Sequence, residues 1–184
     1  MNNNLQQMHS RFLRLFLLTF FVVLVTVSCD SIINENEEPE TAAVENSNEN
    51  HVVKIIDGDT YDVILDGEQT RIRMEGIDAP ERGMDYYKVS KEYLGEICNN
   101  QKVKVVGAKK DRYGRLLAKT YLEDGREVGE EMVKAGMAWH FKKYSTDPVL
   151  ARFENEAKNN RRGLWAIDNP IPPWEFRKNK KNKK

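Results

Sequence analysis

The stretch that most constrains this chain runs from Ile55 to Glu81, IIDGDTYDVILDGEQTRIRMEGIDAPE. Thr60 to Leu65 alternates, with Tyr61, Val63 and Leu65 set against Thr60, Asp62 and Ile64, which reads as a strand. Asp66-Gly67 is a strong hairpin turn. Gln69 to Met74 then places Ile72 and Met74 on one face and Arg71 and Arg73 on the other. Before them, Val52 to Ile56 is β-branched and bounded by Asp57-Gly58. The result is a meander with chemistry at its joins. Asp59 lies just after the first strand and Asp78 just after the third. The outer strands of a meander both flank the middle one, so these ends can converge once the sheet curls. Two carboxylates meeting there would bind a hard cation through oxygen. Taken alone, Asp57-Gly58-Asp59 is also an ordinary turn.

The rest of the chain supplies two further strands and the helices. A helix is expected from Ser90, as its cap, to about Asn99, with Tyr93, Leu94 and Ile97 as its apolar stripe. Val103 to Val106 is the fourth strand, Asp111 to Arg115 a turn with a basic and aromatic tip, and Leu116 to Leu122 the fifth strand. A second helix runs from Val128 to Ala135, closed by Gly136, and a third from Pro148 to Asn160. Leu164-Trp165 and Pro172-Pro173-Trp174 pack the end of the chain. This order predicts an α+β fold, an OB-type five-stranded β-barrel with three helices. Such barrels often bind oligonucleotides, although a fold by itself does not assign a function.

The two ends of the chain look different from this middle. Leu15 to Ser28 carries no charge and follows Arg11 and Arg14. A basic start before an apolar run of about 7–15 residues reads as a secretory signal, whereas a membrane-spanning helix wants about 20; the alternative is a single anchor. Residues 1–28 are therefore expected to be a signal peptide. Asp30 to Asn50, rich in Asn and Glu and without Lys or Arg, predicts a disordered acidic linker over 29–50. The folded domain is expected over 51–176, with a basic tail at 177–184. The chain's net charge of zero hides this division. The first fifty residues hold 2 Arg and 7 acids of the chain's 29 basic and 29 acidic residues, which leaves 27 basic and 22 acidic, a net +5, for 51–184. That suits a polyanionic partner. The two cysteines, Cys29 and Cys98, exclude a disulfide framework or a zinc site.

The groups beside the paired acids suit phosphate chemistry. Arg73 offers a planar fork of donors that fits two phosphate oxygens, and Arg115 can supply a second. Glu81, in the loop after Pro80, can orient or deprotonate water. Attack on a phosphodiester builds negative charge on its oxygens, which arginines and a divalent ion stabilise most in the transition state. Arg71, on the same face as Arg73, has no role that its position argues for.

These residues carry a resemblance. Asp57-Gly58-Asp59-Thr60, Arg73 with Ile77-Asp78-Ala79-Pro80-Glu81, and Asp111-Arg112-Tyr113-Gly114-Arg115-Leu116-Leu117-Ala118 resemble the thermonuclease (staphylococcal nuclease-like) family. So do Gly136-Met137-Ala138-Trp139-His140 with Tyr144-Ser145, and Arg162-Gly163-Leu164-Trp165. The similarity covers essentially 51–176. It implies a calcium-dependent phosphodiesterase that acts on DNA and RNA and leaves 3′-phosphates. Asp59, Asp78 and the main-chain carbonyl of Ala79 would hold Ca²⁺. Glu81 would be the general base or orient water, Arg73 and Arg115 would clamp phosphate, and Tyr113 and Tyr144 would contact substrate. The founding member has a second tyrosine where Lys142 stands. Trp139 is expected to pack and His140 to be a satisfied surface residue. At the other end, Val27-Ser28-Cys29 resembles a bacterial lipobox, which implies a lipid anchor at Cys29 and a place in the cell envelope; cleavage without lipid, giving a secreted protein, stays open. A monomer is expected. Two other readings compete: an OB-type nucleic-acid-binding module without catalysis, and a structural lipoprotein. A module that had lost catalysis would be expected to lack one of Asp59, Arg73, Asp78, Glu81 or Arg115, and all are present.

Overall fold

Asp66 and Gly67 both take positive φ, 52° and 86°, the turn that matches the right-handed twist of the strands on either side. They join β2 (Thr60–Leu65) to β3 (Glu68–Met74), and β1 (His51–Ile55) pairs antiparallel with the other edge of β2. A computed structural model describes residues 50–182 of the chain. The expected signal peptide at 1–28, the lipobox cysteine Cys29 and nearly all of the linker lie outside the described residues, as do the last two lysines. Beyond the meander come β4 (Ile77–Asp78), α1 (Tyr87–Cys98), β5 (Val103–Lys110), β6 (Leu116–Leu122), α2 (Val128–Lys134), β7 (Trp139–His140), α3 (Pro148–Asn159), a short 3-10 turn (Gly163–Ala166) and α4 (Pro173–Asn182).

The main sheet has the order β1-β2-β3-β6-β5, with β3 and β6 parallel and the other neighbours antiparallel. Its free edges approach one another at a single bridge between His51 and Lys102, beside a bond from Val52 N–H to the Gln101 carbonyl. A continuous ladder does not run along that seam, so the five strands form a curled sheet and not a closed barrel. The class is α+β, as expected. The alternation of β2 and β3 explains the interior: Tyr61, Val63, Ile72 and Met74 are buried with Leu94 of α1, Ala118 of β6 and Met132 of α2. The other face of β2 is covered as well, because Asp62 is buried beneath its cross-strand partner Arg71.

Three expectations about the elements are corrected. Helix α1 begins at Tyr87, and Ser90 is not its cap; Ser90 is buried and its hydroxyl donates to the Met137 carbonyl at 2.8 Å. Four α-helices stand among the described residues where three were expected. The fourth, α4, runs straight through the boundary placed at Phe176, so Arg177 to Asn182 continues a helix that begins at Pro173. Its polar composition hid it. Pro173 at its start is buried and Trp174 lies flat on Phe141, with ring centroids 5.2 Å apart and 4° between planes. Helical propensity in the lysine-rich end follows once that first turn is anchored.

Candidate active site

The turn between β1 and β2 is held tightly enough to aim its carboxylates. The Ile56 and Asp57 N–H groups both donate to the Thr60 carbonyl, and Asp59 N–H donates to Asp57 Oδ1 at 3.1 Å. Gly58 is there because nothing larger fits: a Cβ would lie 1.9 Å from Ser90 Oγ and 2.8 Å from Ala79 Cβ. Asp59 is thereby buried, with its carboxylate turned toward the end of β3. The Met74 N–H donates to the Asp59 carbonyl, and the Ala79 N–H donates to Asp59 Oδ2 at 2.7 Å.

Asp78 arrives from the far side of the Gly76 turn. Gly76 takes φ +74°, which releases the chain from β3 into the two-residue strand β4. β4 pairs with β7, Asp78 opposite Trp139, so a small second sheet fixes its direction. The two acids meet on Arg73. One Arg73 nitrogen, Nη2, lies 3.2 Å from Asp59 Oδ2 and 3.0 Å from Asp78 Oδ1. Its other nitrogen, Nη1, donates to the Met74 and Ile77 carbonyls at 2.6 and 2.9 Å. Arg73 is a strut, its side chain 12% exposed: the guanidinium ties both carboxylates and both ends of the turn together.

Arg115 reaches Asp59 through one hydroxyl. Its Nη1 lies 3.4 Å from Thr60 Oγ1, which donates to Asp59 Oδ1 at 2.9 Å. The rest of its fork rests on Asp111, which takes Nε and Nη2, both at 2.8 Å. Asp111 also accepts the Tyr113 and Arg115 N–H groups, so it shapes the turn and aims the arginine at once. Burial would raise the Asp111 carboxyl, but the Arg115 guanidinium and these amides outweigh it and hold it below its ordinary value. Tyr113 is exposed at the tip, with Arg112 over its ring at 4.7 Å and Arg115 at 5.6 Å.

Glu81 stands beside Asp78, and the residue that joins them was not foreseen. Arg177 of α4 donates from Nη1 to Glu81 Oε1 at 2.7 Å and to Asp78 Oδ1 at 3.2 Å, and from Nη2 to Asp78 Oδ2 at 2.8 Å. Nothing in the run of Lys and Asn around Arg177 distinguishes it. The apolar Pro-Pro-Trp before it, which promised packing, is the one signal that α4 turns back on the fold. Burial pushes the Asp78 carboxyl upward, Arg177 opposes this, and the charge on Asp59 adds to the rise. Asp57 is pushed up to about 7, by burial and by Asp59 beside it. Burial leads both shifts, and a cation bound beside these groups would favour their charged forms.

The remaining expected residues divide. Ala79 is drawn in, though the contact its backbone makes is through N–H. Tyr144 is exposed and packs edge-on against Phe141, 4.8 Å between centroids. His140 is not the surface residue expected: it is buried, Nε2 faces Ser145 Oγ at 3.1 Å, and Nδ1 has no hydrogen-bond partner. Burial lowers its imidazole below the ordinary value, although Glu154 opposes. Arg71 is less idle than its sequence position argued. It binds Asp62 at 2.7 and 3.0 Å and shares with Gln69, Tyr113, Gly114 and Arg115 the wall of an open cleft of about 250 Å³.

An oxygen-only donor set fits a hard divalent ion. Ca²⁺ takes 6–8 oxygen ligands from carboxylates, carbonyls and water, and Asp59 and Asp78 already converge on one cationic nitrogen. Among the described residues no three His, Cys, Asp or Glu side chains form a ready-made cage, so an ion held there would draw the rest of its ligands from carbonyls and water.

Comparison with known proteins agrees with this geometry. The pattern of the family described as "Staphylococcal nuclease homologue" matches residues 71–167, which hold Arg73, Asp78, Glu81 and Arg115. The chain is 43% identical over 129 residues to a protein named "Uncharacterized endonuclease" in Escherichia coli, covering 70% of this chain and 84% of that protein. It is 39% identical over 131 residues to a protein of the same name in Haemophilus influenzae, with 71% and 73% covered. It is 45% identical over 111 residues to "Staphylococcal-like nuclease CAN1" of Arabidopsis thaliana, with 60% and 34% covered. The acids gathered at the strand ends, the paired arginines and these matches lead to one conclusion: the chain belongs to the staphylococcal nuclease homologue family, whose domain is an OB-fold with nuclease-type function.

Proposed function

We propose that this protein is a Ca²⁺-dependent phosphodiesterase that cleaves DNA and RNA and leaves 3′-phosphates. One observation supports it above the rest: Asp59 and Asp78 converge on a single Arg73 nitrogen, with Glu81 beside Asp78 and Arg115 one hydroxyl from Asp59. Asp59, Asp78 and the Ala79 carbonyl would hold Ca²⁺, which supplies a Lewis acid for a phosphoryl oxygen when bound. Glu81 would accept a proton from water aligned with the phosphorus. Arg115, half-buried at the wall of the cleft and already oriented by Asp111, would close on the phosphate oxygens as charge builds on them. Arg73 would hold the two acids at their spacing and set its positive charge toward the phosphate as the second clamp. Tyr113, at the exposed tip, would meet a neighbouring phosphate through its hydroxyl, and Tyr144 a base.

The test is cleavage of single-stranded DNA by the full chain, purified in detergent, with millimolar Ca²⁺ and with EDTA. Calcium-stimulated cleavage that EDTA abolishes is expected. Binding of DNA without cleavage would replace this reading with a binding module.

Residues 1–28 serve, in this proposal, as an export signal, with a lipid on Cys29 that holds a monomeric enzyme at the cell envelope. The apolar run and the Val27-Ser28-Cys29 motif support it. Among the described residues no helix is long and apolar enough to cross a membrane. A mature N-terminus that starts at Met1 by mass spectrometry would overturn the export reading.

A further inference from the structure

The C-terminal helix brings a positive charge to the acids from outside the sheet. Trp174 and buried Pro173 anchor its first turn, and Arg177, one turn on, reaches back over Asp78 and Glu81. Its fork occupies both Asp78 oxygens and one Glu81 oxygen. Those are the lone pairs on which a divalent ion and an attacking water would depend. A dication arriving there competes with the Arg177 guanidinium for those lone pairs, and the two cations repel.

Arg73 and Arg177 differ in a way that matters here. Arg73 is 12% exposed and is bonded to two backbone carbonyls as well as to the acids. Arg177 is 39% exposed, its described bonds are to Asp78 and Glu81 alone, and it stands on the last helix. Its head can withdraw into water at small cost, whereas Arg73 cannot leave without unpairing buried groups.

We propose that Arg177 is an autoinhibitory latch that competes with the divalent cation. With no ion bound, it neutralises Asp78 and masks Glu81. Entry of the ion exchanges the guanidinium for Ca²⁺ on Asp78, and the same release frees Glu81. The water-activating carboxylate is thus freed from its arginine partner only when the ion is in place. The latch raises the Ca²⁺ concentration at which the enzyme switches on. This inference rests on the metal-dependent reading above.

The experiment is calorimetric titration of Ca²⁺ into the full chain in detergent, without nucleic acid, for the wild type, Arg177→Gln and Arg177→Lys. The glutamine variant is expected to bind Ca²⁺ roughly tenfold more tightly, which corresponds to about 1.4 kcal/mol; lysine, which keeps the charge and loses the fork, falls between. Half-maximal cleavage shifts to lower Ca²⁺ in the same ratio, and the melting temperature without Ca²⁺ falls. Unchanged or weaker Ca²⁺ binding in Arg177→Gln overturns the latch; if cleavage at saturating Ca²⁺ is lost as well, Arg177 is a phosphate clamp and the nuclease reading stands. Absence of Ca²⁺ binding in all three proteins overturns both.

Discussion

Replacing Arg73 by alanine separates its structural part from its chemical one. In the fold it neutralises two buried carboxylates and binds the carbonyls of Met74 and Ile77. Removing one partner of a buried ion pair costs about 3–5 kcal/mol, because the other charge stays buried and unpaired. Arg177 remains on Asp78, and the Ala79 N–H and Thr60 hydroxyl remain on Asp59, so the lower end, about 3 kcal/mol, is expected without Ca²⁺. For a domain of this size that is a fall in melting temperature of roughly 10–15 °C. Added Ca²⁺ neutralises the same acids and restores a good part of the loss. The measurement is urea unfolding followed by tryptophan fluorescence, with EDTA and with Ca²⁺. A loss under about 1 kcal/mol, the range of exposed pairs, or the same loss with and without Ca²⁺, would refute the argument that Arg73 compensates acids destined for a cation.

Other outcomes follow from the same geometry. Glu81→Ala and Arg115→Ala should each lower cleavage about 10²–10³-fold with little change in melting, while Arg71→Ala, which removes only a cleft-wall pair with Asp62, should keep most turnover; equal losses in all three would indicate general damage. Gly58→Ala should cost about 1–3 kcal/mol through overpacking against Ser90 and Ala79, and unchanged stability would show that the turn has room to yield. Glu154, buried, accepts Lys142 at 2.7 Å, Lys158 at 2.9 Å and the His140 N–H. Burial would raise its carboxyl, but the two lysines outweigh this and hold it below its ordinary 4.5. A lowered folded value means stability that is present above the unfolded value and lost as pH falls through the folded one. Glu154→Gln should therefore cost more at pH 7 than at acid pH in thermal melts; a pH-independent difference would assign the effect to packing.

Local signals in the sequence carried a long way. Alternation in Tyr61 to Leu65 and the Asp66-Gly67 turn determined the hairpin, since two positive-φ positions admit few other residues. The spacing of Asp59, Arg73 and Asp78 put them at strand ends, and Tyr113-Gly114-Arg115 marked a turn with an exposed aromatic tip. What the sequence could not decide were contacts between parts far apart in the chain. Arg177 meets Asp78 across 99 residues, and no period or turn signal encodes that pairing. It depends on Trp174 finding Phe141, a packing event that orders a stretch otherwise polar enough to stay in water. The role of Asp111 behind Arg115, the cover that Arg71 gives Asp62, and the burial of His140 beside Ser145 are of the same kind. Backbone preferences are set within a few residues of themselves, so they can be read along the chain. The pairing of charges is set by which surfaces the core brings together, and only the folded structure decides it.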